Sequence, residues 1–124
     1  MTWNGTLNVT YDDDRNGQLR SVHVDDFCYF ELVKNRIWGH TLTDQFILPW
    51  NGIKVLIALL QASCDHFERV DKAFIVNLRK IRRIDWEWGI IYFSEKSDDT
   101  NKRCYIASAS MPELRQRLKQ LNAQ

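Results

Sequence analysis

Apolar positions along this chain alternate with polar ones far more often than they recur at a helical period. Leu7, Val9 and Tyr11 are separated by polar residues, as in a strand with one buried face. Asp14-Arg15-Asn16-Gly17 follows as a hairpin turn, because Asn-Gly accepts the positive φ angles that a tight hairpin demands. The pattern predicts a return strand over 19–24 and a third strand over 27–33. Lys34-Asn35-Arg36 is a polar break before strands over 37–42 and 46–48, and Pro49-Trp50-Asn51-Gly52 ends the alternation. A helix is predicted over 53–62, with Asn51 as its candidate cap. Ile53, Leu56, Ile57 and Leu60 give one buried face, while Val55, Ala58, Leu59 and Ala62 form a second apolar face. A helix apolar on both sides is either deeply buried or shares one face with a partner.

Strands resume over 67–70, 74–76, 83–86 and 89–94. A polar tip over 97–102 leads to a last strand over 103–107. Ser110-Met111-Pro112-Glu113 has the form of a capping box, with Pro112 in the first turn where its missing N–H costs nothing. Met111, Leu114, Leu118 and Leu121 line one face of the closing helix. The fold class is mainly β, with many short strands and two helices.

At 124 residues the chain is read as one domain, 1–124, with no room for a receiver or sensor. The expectation is a standalone domain. The net charge of +1 identifies no partner, but its distribution is informative. Residues 1–33 carry two basic and six acidic side chains, and residues 34–124 carry fifteen basic and ten acidic. Cys28, Cys64 and Cys104 are an odd, widely spaced set without an export signal, which points to a reducing cytoplasm. No apolar run reaches the length of a membrane span, so no membrane partner is expected. Cys64 and His66 are the one close pair with metal-ligand character, where structural zinc sites pair close ligands twice. His23, His40 and His66 fall in different elements, and no nucleophile elbow or phosphate-cradling glycine loop is visible. The expectation is therefore no enzyme, no small-molecule substrate, no metal and no cofactor.

The residues from Phe67 to Arg83 carry the most information. Six Lys or Arg stand there against Glu68 and Asp71, around the apolar run Phe74-Ile75-Val76. A buried anchor with a cationic rim can hold charge against phosphates. The order Phe67-x-Arg69-Val70-x-Lys72-x-Phe74-Ile75-Val76-Asn77-Leu78-x-x-Ile81 resembles the core motif of the LytTR family, bacterial DNA-binding domains of transcription regulators. Val24-Asp25-Asp26-Phe27-Cys28-Tyr29-Phe30-Glu31 is similar to the strand block upstream in that family, and residues 81–93 follow its next hairpin. Within the motif Asp71 replaces the usual His, Lys72 the usual Arg and Ala73 the usual Ser.

The resemblance implies about ten short strands in small antiparallel sheets, and a function in sequence-specific binding of double-stranded DNA. Loops, not a recognition helix, would enter the major groove. It maps base contacts onto Lys34, Asn35, Arg36 and Lys72, where Asn suits adenine and Arg or Lys suits guanine. Phosphate contacts are expected from Arg69, Arg79, Lys80 and Ser108. Asp71 is expected to pair with Lys72 or Arg69. The third loop departs from the family. Its usual arginines before the final helix are missing, and the chain reads Ile106-Ala107-Ser108-Ala109-Ser110. That departure keeps an alternative open, a protein-interaction module on the same fold acting through the helix over 53–62. Val55 and Leu59 are the candidate contacts of a homodimer.

Overall fold

The computed structural model describes residues 5–11, 19–49, 52–94 and 102–122. The expected turn at 14–17, Trp50, the candidate cap Asn51 and the tip at 97–101 lie outside them. Among the described residues ten strands form two antiparallel sheets with two helices. In chain order the strands are β1 (Thr6–Tyr11), β2 (Arg20–His23), β3 (Tyr29–Val33), β4 (Arg36–His40), β5 (Gln45–Leu48), β6 (Phe67–Asp71), β7 (Phe74–Asn77), β8 (Arg83–Asp85), β9 (Ile90–Tyr92) and β10 (Arg103–Tyr105). Helix α1 (Ile53–Ser63) lies between β5 and β6, and α2 (Met111–Asn122) closes the chain. The larger sheet runs β2-β1-β5-β4-β3-β7-β6, and the smaller runs β10-β9-β8.

Strands β3 and β7 are hydrogen-bonded to neighbours on both sides and covered on both faces, which explains the consecutive apolar residues Tyr29-Phe30 and Phe74-Ile75-Val76. A strand covered on both faces cannot alternate with polar residues. Phe30 and Ile75 point into one core, with Phe27, Ile37, Leu48, Leu56 and Leu60. Tyr29, Phe74 and Val76 point into the other, with Ile91, Phe93, Cys104 and Leu114. Helix α1 therefore covers one face of the sheet, while the small sheet and α2 cover the opposite face. Each fully buried side chain of this size contributes about 1.5–3 kcal/mol. Gly39 marks a close approach, because a Cβ there would stand 2.5 Å from Phe27 Cε1.

The ends of several elements differ from the alternation. Residues 24–26 form a 3-10 turn rather than the end of a strand, so β3 starts at Tyr29. Asp25 and Asp26 lie inside that turn, and its cap is His23, whose Nδ1 accepts from the Asp25 N–H at 3.2 Å. Helix α1 starts after Gly52, which has no side chain to cap with. The capping box at Ser110 does not form among the described residues. The chain instead enters α2 through a 3-10 turn, Ser108–Ser110, held by backbone bonds from Ser110 N to Ala107 O and from Met111 N to Ser108 O.

Candidate nucleic-acid interface

Most of the motif from Phe67 to Ile81 is core. Phe67, Val70, Phe74, Ile75, Val76, Asn77 and Leu78 are all buried. The exposed exceptions are Lys72, at the tip of the β6–β7 hairpin, and Arg79, in a 3-10 turn after β7. The turn at Lys72 is held from both sides. Asp71 Oδ2 accepts from the Ala73 N–H at 3.0 Å, and Arg69 Nη2 donates to the Lys72 carbonyl at 2.7 Å. Asp71 thus bonds the backbone, in the manner of an Asx turn, rather than Lys72 or Arg69. Arg69 braces the turn that presents Lys72.

Three loops meet at this end of the larger sheet. Lys34 and Asn35 are the two central residues of the β3–β4 hairpin, with φ of 50° and 66°. Positive φ at both places is the type I′ geometry that matches strand twist, and at Lys34 it costs roughly 1 kcal/mol. Because β3 and β7 are antiparallel neighbours, the end of β3 lies beside the start of β7, and Leu32 N donates to Ala73 O at 2.8 Å. A bulge between Arg69 and Asp71 interrupts the ladder around Val70, and Val70 O accepts from Ala107 N at 2.8 Å. Exposed Ser108 follows directly. The loops that carry Lys34, Asn35, Arg36, Lys72 and Ser108 therefore stand at one end of the larger sheet.

Arg79 and Lys80 do not join them. They follow the far end of β7, separated from Ala73 by a strand's length, about 16 Å at 3.3 Å per residue. Arg79 Nη2 is 3.5 Å from Asp65 Oδ1, which is also 3.5 Å from His66 Nδ1. His66 Nε2 lies 2.6 Å from Asp25 Oδ1. Lys80 lines a cleft with Asp26, Thr41 and Asp44. On α1, Val55 is 66 % exposed and Leu59 is half-buried, so the outer apolar face is open to solvent.

A polar network went unread in the sequence. His40 Nε2 is 3.2 Å from Glu31 Oε1, and Lys102 Nζ is 3.1 Å from His40 Nδ1 and 3.0 Å from Asp44 O. Burial, aided by the Lys102 charge, pushes the imidazole down to about 4. His40 is therefore neutral at pH 7, donating to Glu31 and accepting from Lys102, and the contact with Glu31 is a hydrogen bond rather than an ion pair. Trp88, 74 % exposed in the β8–β9 turn, also went unread. The sequence held a trace of it, since Gly89 after Trp86-Glu87-Trp88 marks a turn.

Burial pushes the Cys28 thiol up to about 11 and Cys104 well above its ordinary range, so both act as core packing. Among the described residues no group of three or more His, Cys, Asp or Glu side chains is placed to hold a metal ion. No helix among them is long and apolar enough to cross a membrane.

The LytTr DNA-binding domain family matches residues 17–119. In fold the chain is similar to the LytTr DNA-binding domain of a protein described as a methyl-accepting/DNA response regulator from Bacillus cereus. That likeness has a TM-score of 0.72 at 18 % identity and covers 94 % of this chain and 98 % of the other. No curated protein matches the sequence. A family match across most of the chain, on a fold of ten strands and two helices, places the chain in the LytTr DNA-binding domain family.

Proposed function

We propose that this chain is the sequence-specific DNA-binding domain of a cytoplasmic transcription regulator and that it meets duplex DNA with one end of the larger sheet. The observation that carries the reading is the convergence of the three loops through the Leu32–Ala73 and Ala107–Val70 backbone bonds. Three exposed cations stand there, Lys34 and Lys72 at hairpin tips and Arg36 at the start of β4. Arg36 offers a fork for guanine and Asn35 an amide for adenine. Lys72 brings a point charge without a fork, so its readout is looser. Ser108 has a hydroxyl for a phosphate oxygen. Arg79 and Lys80 could share the same duplex only if it ran along the sheet.

Duplexes selected from a random pool test this. Arg36→Ala and Lys72→Ala should each weaken binding and reduce the salt slope by about one unit if a phosphate or base-edge charge contact is lost. Lys72→Ala should also relax preference at one base position. The pair Arg79→Ala with Lys80→Ala should leave both affinity and slope unchanged. The opposite outcome would put the duplex at the other end of the sheet, and an unaltered chain without salt-dependent binding would end the DNA reading.

The open face of α1 supports a second contact. Val55 at 66 % exposure leaves an apolar face open on the surface, and the reading is a homodimer that uses this face twice. If DNA readout has been lost with the third-loop arginines, the same face serves a protein-interaction module.

A further inference from the structure

Trp88 is placed on the surface by a turn that is itself tightly built. Two residues earlier, Trp86 is half-buried with the Arg115 guanidinium 4.4 Å from its ring centre. Trp88 is 74 % exposed. Its backbone N–H donates to Asp85 Oδ1 at 3.0 Å, which fixes the start of the turn. Gly89 has φ of +66°, and a Cβ there would lie 2.9 Å from Met111 Cε and 3.1 Å from Ile106 O. Gly89 O accepts from Ile106 N at 2.8 Å, and the next residue, Ala107, donates to Val70 O at 2.8 Å. Two adjacent backbone bonds therefore seat the Trp88 turn beside the Ser108 loop and one step from the bulge before Lys72. Backbones joined in this way lie about 5 Å apart. Tyr105, 46 % exposed and paired with Ile90, adds a second aromatic ring on the neighbouring strand.

A large ring on a backbone held by hydrogen bonds is a low-cost contact, because only its two side-chain torsions remain to be ordered on binding. We propose that Trp88 is a DNA-contacting residue whose ring packs on the deoxyribose wall of the groove that the Ser108 loop approaches. Its indole N–H is a donor for a phosphate oxygen there. The contact stands where the chain lacks the arginines usual before the final helix, and it rests on the DNA reading above. An uncharged ring releases no counterions, so it adds affinity without steepening the salt dependence. Sugar and phosphate contacts also carry no base preference.

The test compares Trp88→Ala, Trp88→Phe and Lys72→Ala with the unaltered chain on one selected duplex, from low to moderate salt. Trp88→Ala should bind about tenfold more weakly at every salt concentration, the loss expected from one indole face left in water. Its salt slope should equal that of the unaltered chain, and its base preferences should be unchanged. Trp88→Phe should fall between the two, and Lys72→Ala should flatten the slope. Thermal unfolding of each variant shows whether its fold is retained, and Trp88→Phe carries the test if Trp88→Ala loses its fold. Equal affinity of the unaltered chain and a folded Trp88 variant overturns the proposal. So does a changed slope, which would mean that the turn shapes the cationic loops instead of touching DNA. If the unaltered chain binds no duplex in a salt-dependent way, the DNA reading fails first and this contact with it.

Discussion

Asn77 is 1 % exposed, and both ends of its amide are used. Nδ2 donates to Phe27 O at 2.9 Å, and Oδ1 accepts from Arg79 N at 3.1 Å. The side chain closes the turn after β7 and ties it to the loop before β3. Asn77→Ala would leave a carbonyl and an amide without these partners in a largely buried place, and each such orphan costs about 1–3 kcal/mol. The expected loss is about 2–3 kcal/mol, read as a lower urea midpoint with an unchanged slope. A midpoint within error of the unaltered chain would mean that water replaces the amide. The same residue explains why the motif was legible while its chemistry was not. Six of its apolar positions and Asn77 are recognisable because the core fixes them, whereas Arg69 and Asp71 look like surface charges and are spent holding one turn.

At the scale of elements, alternation and short apolar runs located the strands within a few residues, and helical spacing located α1 almost whole. Its failures have a common cause. The 3-10 turns at 24–26 and 108–110 are set by backbone bonds and local caps, which hydrophobic periodicity does not encode. The contact between the two sheets was also invisible, since it joins residues far apart in sequence. Tyr29 of β3 stacks on Phe93 beyond β9 at 5.3 Å and on His40 of β4 at 4.3 Å, and Lys102 ahead of β10 reaches His40. This junction should loosen in acid. The folded chain holds His40 down at about 4, against an ordinary 6.5. Below 6.5 the unfolded chain takes up a proton that the folded chain refuses. Stability therefore falls as pH drops from about 6.5 towards 4 and levels off below, by up to about 3 kcal/mol. Glu31 works in the other direction, because burial raises its carboxyl and lets the folded chain accept a proton early. His40→Gln removes the imidazole, so its urea midpoint should shift less between pH 7 and pH 4.5 than that of the unaltered chain. Equal shifts in both proteins would assign the acid sensitivity to other groups.

For the whole molecule, the fold class and the family could be read from the chain, but the geometry of the candidate interface could not. Sequence proximity put Arg79 and Lys80 with Lys72, and β7 carries them apart by its full length. Conversely, Lys34 and Lys72 lie far apart in the chain, and their loops stand at the same end of the sheet because β3 pairs with β7. A single end bearing three exposed cations and no third-loop arginine is a small electrostatic contact for a duplex. A second copy would remedy that, since a linked pair binds its second half-site at high effective concentration and gains about 10²-fold or more without new contacts. The face available for pairing is the outer side of α1, where Val55, Ala58 and Ala62 are exposed and Leu59 is half-buried, while Ile53, Leu56 and Leu60 hold the core. Val55→Glu tests it without disturbing the inner face, and its cost to the fold of the single chain should stay within about 0.5 kcal/mol. Light scattering should find the unaltered chain dimeric at high concentration and the variant monomeric. The variant should lose affinity for a duplex with two half-sites and keep its affinity for one half-site. Leu59→Glu should act the same way with some added loss of stability. An unaltered chain that stays monomeric at high concentration, or a Val55→Glu variant that dimerises as before, would place the partner of α1 elsewhere than in a second copy of this domain.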